Sequence, residues 1–71
     1  MVKWEYCFIK LTAHGSGLLL LDYNYSIVPK GYYIKETYDS RLDLFNYLGG
    51  DGWELVDSLG GYTFKRSLSG D

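Results

Sequence analysis

The chain has one cysteine, one histidine and one proline among its 71 residues, and each scarcity removes a class of protein. A lone Cys7 leaves no internal disulfide to brace a small fold. With His14 the single imidazole and Cys7 without close-set partners, the roughly four ligands of a structural zinc site cannot be assembled. No cofactor is implied by any other motif. No apolar run is longer than Leu18 to Leu21, far short of the ~20 residues that cross a bilayer, so no membrane span is expected. Met1-Val2-Lys3-Trp4-Glu5 lacks the basic-then-apolar layout of a secretory signal. Together with the free thiol, this makes a soluble, cytoplasmic protein the expectation.

A basic excess is missing too. Seven basic residues face nine acidic ones, a formal charge of −2. Nucleic-acid binding ordinarily shows as a basic stripe, because phosphate contacts supply most of the affinity. The nearest approach to one is Lys65-Arg66, set among acidic neighbours, and nucleic acid is not expected as a partner.

Aromatic residues are abundant, at 18%, with eight Tyr against three Phe. Tyrosine couples a large apolar ring to a polar tip and suits half-buried sheet faces and interfaces. A composition of 46% hydrophobic and 23% charged residues is that of a folded globule. The length allows one domain, expected over residues 1–66 with a flexible tail at 67–71. A core this small leaves a margin of ~3–5 kcal/mol, so close packing or self-association must supply what disulfides and metals do not.

Residues 3–11 are rich in aromatic and β-branched types and read as a strand, with Trp4, Tyr6 and Phe8 on the inward face and Lys3, Glu5, Cys7 and Ile9 on the other. Residues 13–17 read as a flexible turn. From Leu18 to Val28 the pattern is ambiguous between strand and partial helix. Tyr23, Tyr25, Ile27 and Val28 favour strand, and a hairpin turning at Pro29 to Gly31 would lead into a strand over 32–37. Ser40-Arg41-Leu42-Asp43 has the layout of a capping box, with Asp in place of the usual Glu. Leu42, Leu44, Phe45 and Leu48 follow at helical spacing, and Gly49-Gly50 is expected to end the helix. Trp53 to Ser58 and Tyr62 to Arg66 read as strands joined at Gly60-Gly61, with Trp53, Leu55, Tyr62 and Phe64 inward. The expected fold is α+β: an antiparallel sheet of three to five strands with one helix packed on one face. Glu5, Glu54, Thr63, Lys3 and Lys65 would share the open face and pair across strands.

The combination of Trp4-Glu5-Tyr6, Leu48-Gly49, Gly52-Trp53-Glu54-Leu55-Val56 and Phe64-Lys65-Arg66 resembles a short bacterial family catalogued as domain of unknown function 4177. The resemblance spans residues 3–9 and about 42–66. It implies a small α+β domain without an established reaction. The chain departs from the family pattern at Cys7 and in its long Leu- and Tyr-rich middle segment.

No catalytic set converges. Cys7 could act as a nucleophile only with a general base nearby, and His14 would have to reach back from a Gly-rich loop. His14-Gly15-Ser16-Gly17 lacks the further glycine and the following helix of a phosphate cradle. Asp51-Gly52 lacks the alternating oxygen donors of a calcium loop, and Asp39 and Asp43 sit where a helix start favours negative charge. Trp4 and Trp53 read as core anchors. Four Tyr at 23, 25, 32 and 33 exceed what a small core can use. The function expected is therefore non-enzymatic: a protein-interaction or self-assembly module, a homodimer built through Leu19, Leu21, Tyr23, Tyr25, Ile27 and Tyr33. A further protein partner remains open, and a small-molecule-binding regulatory domain is the alternative.

Overall fold

A computed structural model of the chain describes residues 3–13, 15 and 17–68. The elements run β1 (Trp4–Ile9), β2 (Leu11–Ala13), β3 (Leu19–Leu21), β4 (Thr37–Tyr38), α1 (Arg41–Gly50), β5 (Glu54–Asp57) and β6 (Tyr62–Ser67). The fold is α+β, with all strand pairs antiparallel. One three-stranded sheet has the order β1-β6-β5, and a second has the order β2-β3-β4. Among the described residues no helix is long and apolar enough to cross a membrane.

Lys10 is where the first expected strand divides into two. Its N–H donates to Ser26 Oγ at 3.0 Å and its carbonyl accepts from the Asp22 N–H at 2.8 Å, so neither group continues the β1 ladder. The middle segment thus clamps the chain as it passes from one sheet to the other. Asp22 organises that segment: its carbonyl accepts from the N–H groups of Tyr25 and Ser26, and its carboxylate from that of Asn24. Tyr23 to Tyr25 therefore lie in a turn rather than in the expected strand. Ile27 makes a two-bond bridge with Phe8, and a turn closes from Tyr32 N–H to the Pro29 carbonyl. β3 pairs with β4 across that whole excursion, not through a tight hairpin.

Ser40 caps α1 with its Oγ accepting from the Asp43 N–H at 3.2 Å. The reciprocal half of a capping box is absent, because the short Asp43 carboxylate turns to Lys35 at 3.3 Å. At the other end the helix runs through Gly49 and Gly50 and closes in a Schellman turn. Trp53 N–H donates to the Leu48 carbonyl and Gly52 N–H to the Gly49 carbonyl, both at 3.0 Å. The left-handed residue is Gly52, at φ 89°, two positions beyond the expected stop. This turn delivers Trp53 into the core beside Leu48.

The core comprises Cys7, Ile9, Leu21, Ile34, Tyr38, Leu44, Leu48, Trp53 and Phe64. Phe45 meets the rings of Tyr62 and Phe64 edge-on or tilted, at 5.3 and 6.2 Å. Leu42 stays exposed, outside the helix stripe it was expected to join. On β1 the expected faces are reversed: Trp4 and Tyr6 are exposed, whereas Cys7 and Ile9 are buried. The register explains it, since Cys7 lies opposite Phe64 and Ile9 opposite Tyr62. With Phe64 inward, the odd-numbered residues of β1 must follow it, because a one-residue slip exchanges the two faces of a strand. Leu55 lies opposite Phe64 yet stays exposed, as do all four residues of β5.

The middle segment also departs from expectation. Leu21 and Ile34 are core residues, and Leu19 and Val28 pack against them. The second sheet thus supplies part of the core rather than waiting for a partner. At the C-terminus β6 continues through Ser67, and the Leu68 N–H donates to the Lys3 carbonyl at 2.9 Å, so paired structure extends into the expected tail. Residues 1, 2, 14, 16 and 69–71 lie outside the described ones, and with them the expectations for His14 and the end of the tail.

Candidate functional site

Two regions among the described residues draw chemistry or exposed aromatic surface together. The first is centred on Arg66. Alternation along β6 turns Arg66 to the same face as Phe64 and Tyr62, and the register sets it opposite Glu5. Its Nε donates to Glu5 Oε2 at 2.9 Å and its Nη1 to the Asp51 carbonyl at 3.2 Å. The guanidinium carbon lies 4.6 Å from the Trp53 ring centroid and 4.9 Å from that of Tyr32. A planar, weakly hydrated cation is suited to such stacking in a way that an ammonium is not. Tyr32 donates in turn to Asp51 Oδ2 at 2.6 Å, and its ring meets that of Trp53 edge-on.

Burial, and the bond to Asp51, push the Tyr32 hydroxyl well above the ordinary phenol range, so it stays a proton donor. The buried Trp53 Nε1–H has no hydrogen-bond acceptor among the described residues, although it lies near enough to the Tyr32 hydroxyl to offset a little of that rise. Beside this cluster opens a cleft of about 390 Å³ lined by Glu5, Asp51, Gly52, Arg66, Ser67 and Leu68.

The second region is the outer face of the first sheet. Trp4, Tyr6 and Phe8 alternate along β1 on the side away from Cys7 and Ile9, and Lys65 and Thr63 of β6 stand opposite Tyr6 and Phe8. The Lys65 ammonium sits 4.3 Å from the Trp4 ring centroid. Glu54 lies opposite Lys65, as the sequence suggested. Ile27 extends the face through its bridge to Phe8 and is 70% exposed. Tyr25 lies under the Lys10 ammonium at 4.9 Å.

The six residues expected to form an interaction surface are thereby split. Leu21 is buried in the core and Leu19 is half-buried against it, so the first offers no surface and the second only part of its side chain. Tyr25 and Ile27 adjoin the outer face. Tyr23 and Tyr33 are exposed elsewhere, with Tyr23 donating to Glu36 Oε1 at 2.6 Å, a bond that raises its pKa. Cys7 is 2% exposed, and burial pushes its thiol up to about 11 against a partial downward pull from Arg66. A thiol so placed is a poor nucleophile. Among the described residues no three His, Cys, Asp or Glu side chains gather as metal ligands.

The Arg66 cluster is absent from the sequence reading, although half of it was within reach. The alternation that turned Tyr62 and Phe64 inward also turns Arg66 inward, and an inward arginine calls for an acidic partner. Nothing in the sequence pointed to Tyr32 or Asp51 as its neighbours. Comparison with protein-family models, curated proteins and solved structures finds no match to the chain.

Proposed function

We propose that this protein is a non-enzymatic self-assembly module, pairing with a second copy through the outer face of the β1-β6-β5 sheet. The observation that carries the reading is the exposed row of Trp4 and Tyr6 on a sheet face that no element packs over among the described residues, widened by Phe8 and Ile27. Contiguous apolar patches of this kind mark interaction sites in small proteins. The face holds both signs of charge, with Lys65 opposite Glu54 beside Trp4, so two copies related by a two-fold axis can set unlike charges against each other. Pairing of β5 edges is the weaker geometry. An antiparallel β5 pair would set Glu54 of one copy near Asp57 of the other, and the irregularity between Leu55 and Asp57 interrupts that edge.

Size-exclusion chromatography with light scattering at micromolar concentration tests the reading. The parent should elute as a dimer, and Trp4→Glu combined with Tyr6→Glu as a folded monomer. A parent that stays monomeric across the concentration range, or a double variant that still dimerises, overturns it.

A further inference from the structure

Among the described residues, the cleft beside Arg66 is lined by one carboxylate more than it has cationic side chains. Two carboxylates, Glu5 and Asp51, line it with one guanidinium. Glu5 neutralises Arg66 through the 2.9 Å ion pair. Asp51 accepts from the Tyr32 hydroxyl, which satisfies a lone pair but supplies no charge, and among the described residues no cationic side chain forms an ion pair with Asp51.

The surroundings are fixed in advance. Asp51 caps α1, Gly52 is locked in the Schellman turn, and Arg66 is stacked on Trp53 and Tyr32. Gly52 has open space where a side chain would stand, and Leu68 brings an exposed apolar side chain to the lining. A volume of about 390 Å³ is within the range of small-ligand sites. We propose that this cleft binds a small aliphatic amine, its ammonium group held by the Asp51 and Glu5 carboxylates and its methylene chain lying along Leu68. A carboxylate ligand would meet net negative charge there, and a neutral one would leave the charge of Asp51 unanswered.

The site is independent of the outer sheet face, and the two tryptophans separate the two readings. Trp53 stacks on a wall of the cleft, whereas Trp4 lies on the outer face. Titration of the ¹⁵N-labelled protein with 1,4-diaminobutane should shift the Trp53 indole and the Gly52 and Leu68 amides saturably, with the Trp4 indole unmoved. N-butylacetamide, acetate and sodium chloride at matched ionic strength should leave the same resonances in place. Asp51→Asn keeps an oxygen for the Tyr32 hydroxyl and the main-chain carbonyl for Arg66, removing only the charge. It should weaken diamine binding about tenfold or more, as loss of a charged hydrogen-bond partner does. Absence of a saturable shift, reproduction of the shift by salt or by the neutral amide, or an Asp51→Asn variant of parental affinity would each overturn the proposal.

Discussion

Phe8 rests its ring against the backbone of Gly61, so closely that a Cβ at position 61 would lie 2.4 Å from Phe8 Cζ and 2.8 Å from Cε1. The contact joins β1 to the turn that starts β6, and a side chain at 61 would have to displace the Phe8 ring while the Ile9 carbonyl oxygen stands 3.2 Å away. Gly61→Ala should cost about 2–3 kcal/mol, as overpacking of a filled contact does. Combined with Phe8→Ala, the same change should cost much less, and the double-mutant cycle in urea should return a coupling of about 1 kcal/mol or more. Additive effects would show that backbone conformation at residue 61, and not the ring, sets the requirement.

The two tryptophans should differ sharply. Trp53 is 4% exposed in the core, and Trp53→Ala should remove about 3–5 kcal/mol, which is close to the whole margin of a chain this size. Trp4 is 42% exposed and outside the core, so truncating it loses only part of a tryptophan's burial together with the Lys65 contact, and should cost clearly less than Trp53→Ala. Urea midpoints of the two variants, measured at a concentration where the parent is monomeric, decide the matter. Equal losses would contradict the face assignment of β1.

Arg66→Lys keeps the charge but loses the planar stack and the fork that serves Glu5 and the Asp51 carbonyl together. It should destabilise the chain by about 1.5–3 kcal/mol, the range for a hydrogen bond involving a charged group. Glu5→Gln should cost a similar amount, and the pair of changes less than the sum, because both act on one partly buried interaction. Thermal melts at low and high salt add a second check, since a partly buried pair is less sensitive to screening than a surface one. An Arg66→Lys protein with the parental midpoint would reduce the cluster to incidental contact.

Alkaline pH should loosen the fold through Cys7. Burial raises its pKa from 9.0 unfolded to about 11 folded, so the unfolded chain releases the thiol proton first. This contribution to stability is therefore complete below about pH 9 and is lost as pH climbs toward 11. Tyr32 and Tyr38, both raised chiefly by burial, add to the loss in the same direction at higher pH. Unfolding free energies at pH 7, 9 and 10.5 should fall in that order, and Cys7→Ser should flatten the first part of the decline. Rapid alkylation of the native thiol at pH 8, outpacing unfolding, would show that Cys7 is not sequestered.

The α+β class, the helix from the Ser40 cap onward, the hairpin at Gly60-Gly61 and the inward set of Trp53 and Phe64 were all determined by sequence alone. Each rests on a local signal: a capping side chain, a periodicity, or a pair of glycines. The faces of β1 were not determined in this way, because both of its alternating sets contain apolar residues. Register against β6 chose Cys7 and Ile9 over Trp4, Tyr6 and Phe8, and register is a property of the strand pair. The middle segment was likewise open until Asp22 and Ser26 bound the backbone of Lys10, sixteen residues from Ser26 in the case of the hydroxyl bond. The Arg66 cluster depended most on tertiary structure: β1, β6, the α1 turn and Tyr32 each bring one part, and a site assembled from four separate stretches leaves no periodic trace in any one of them.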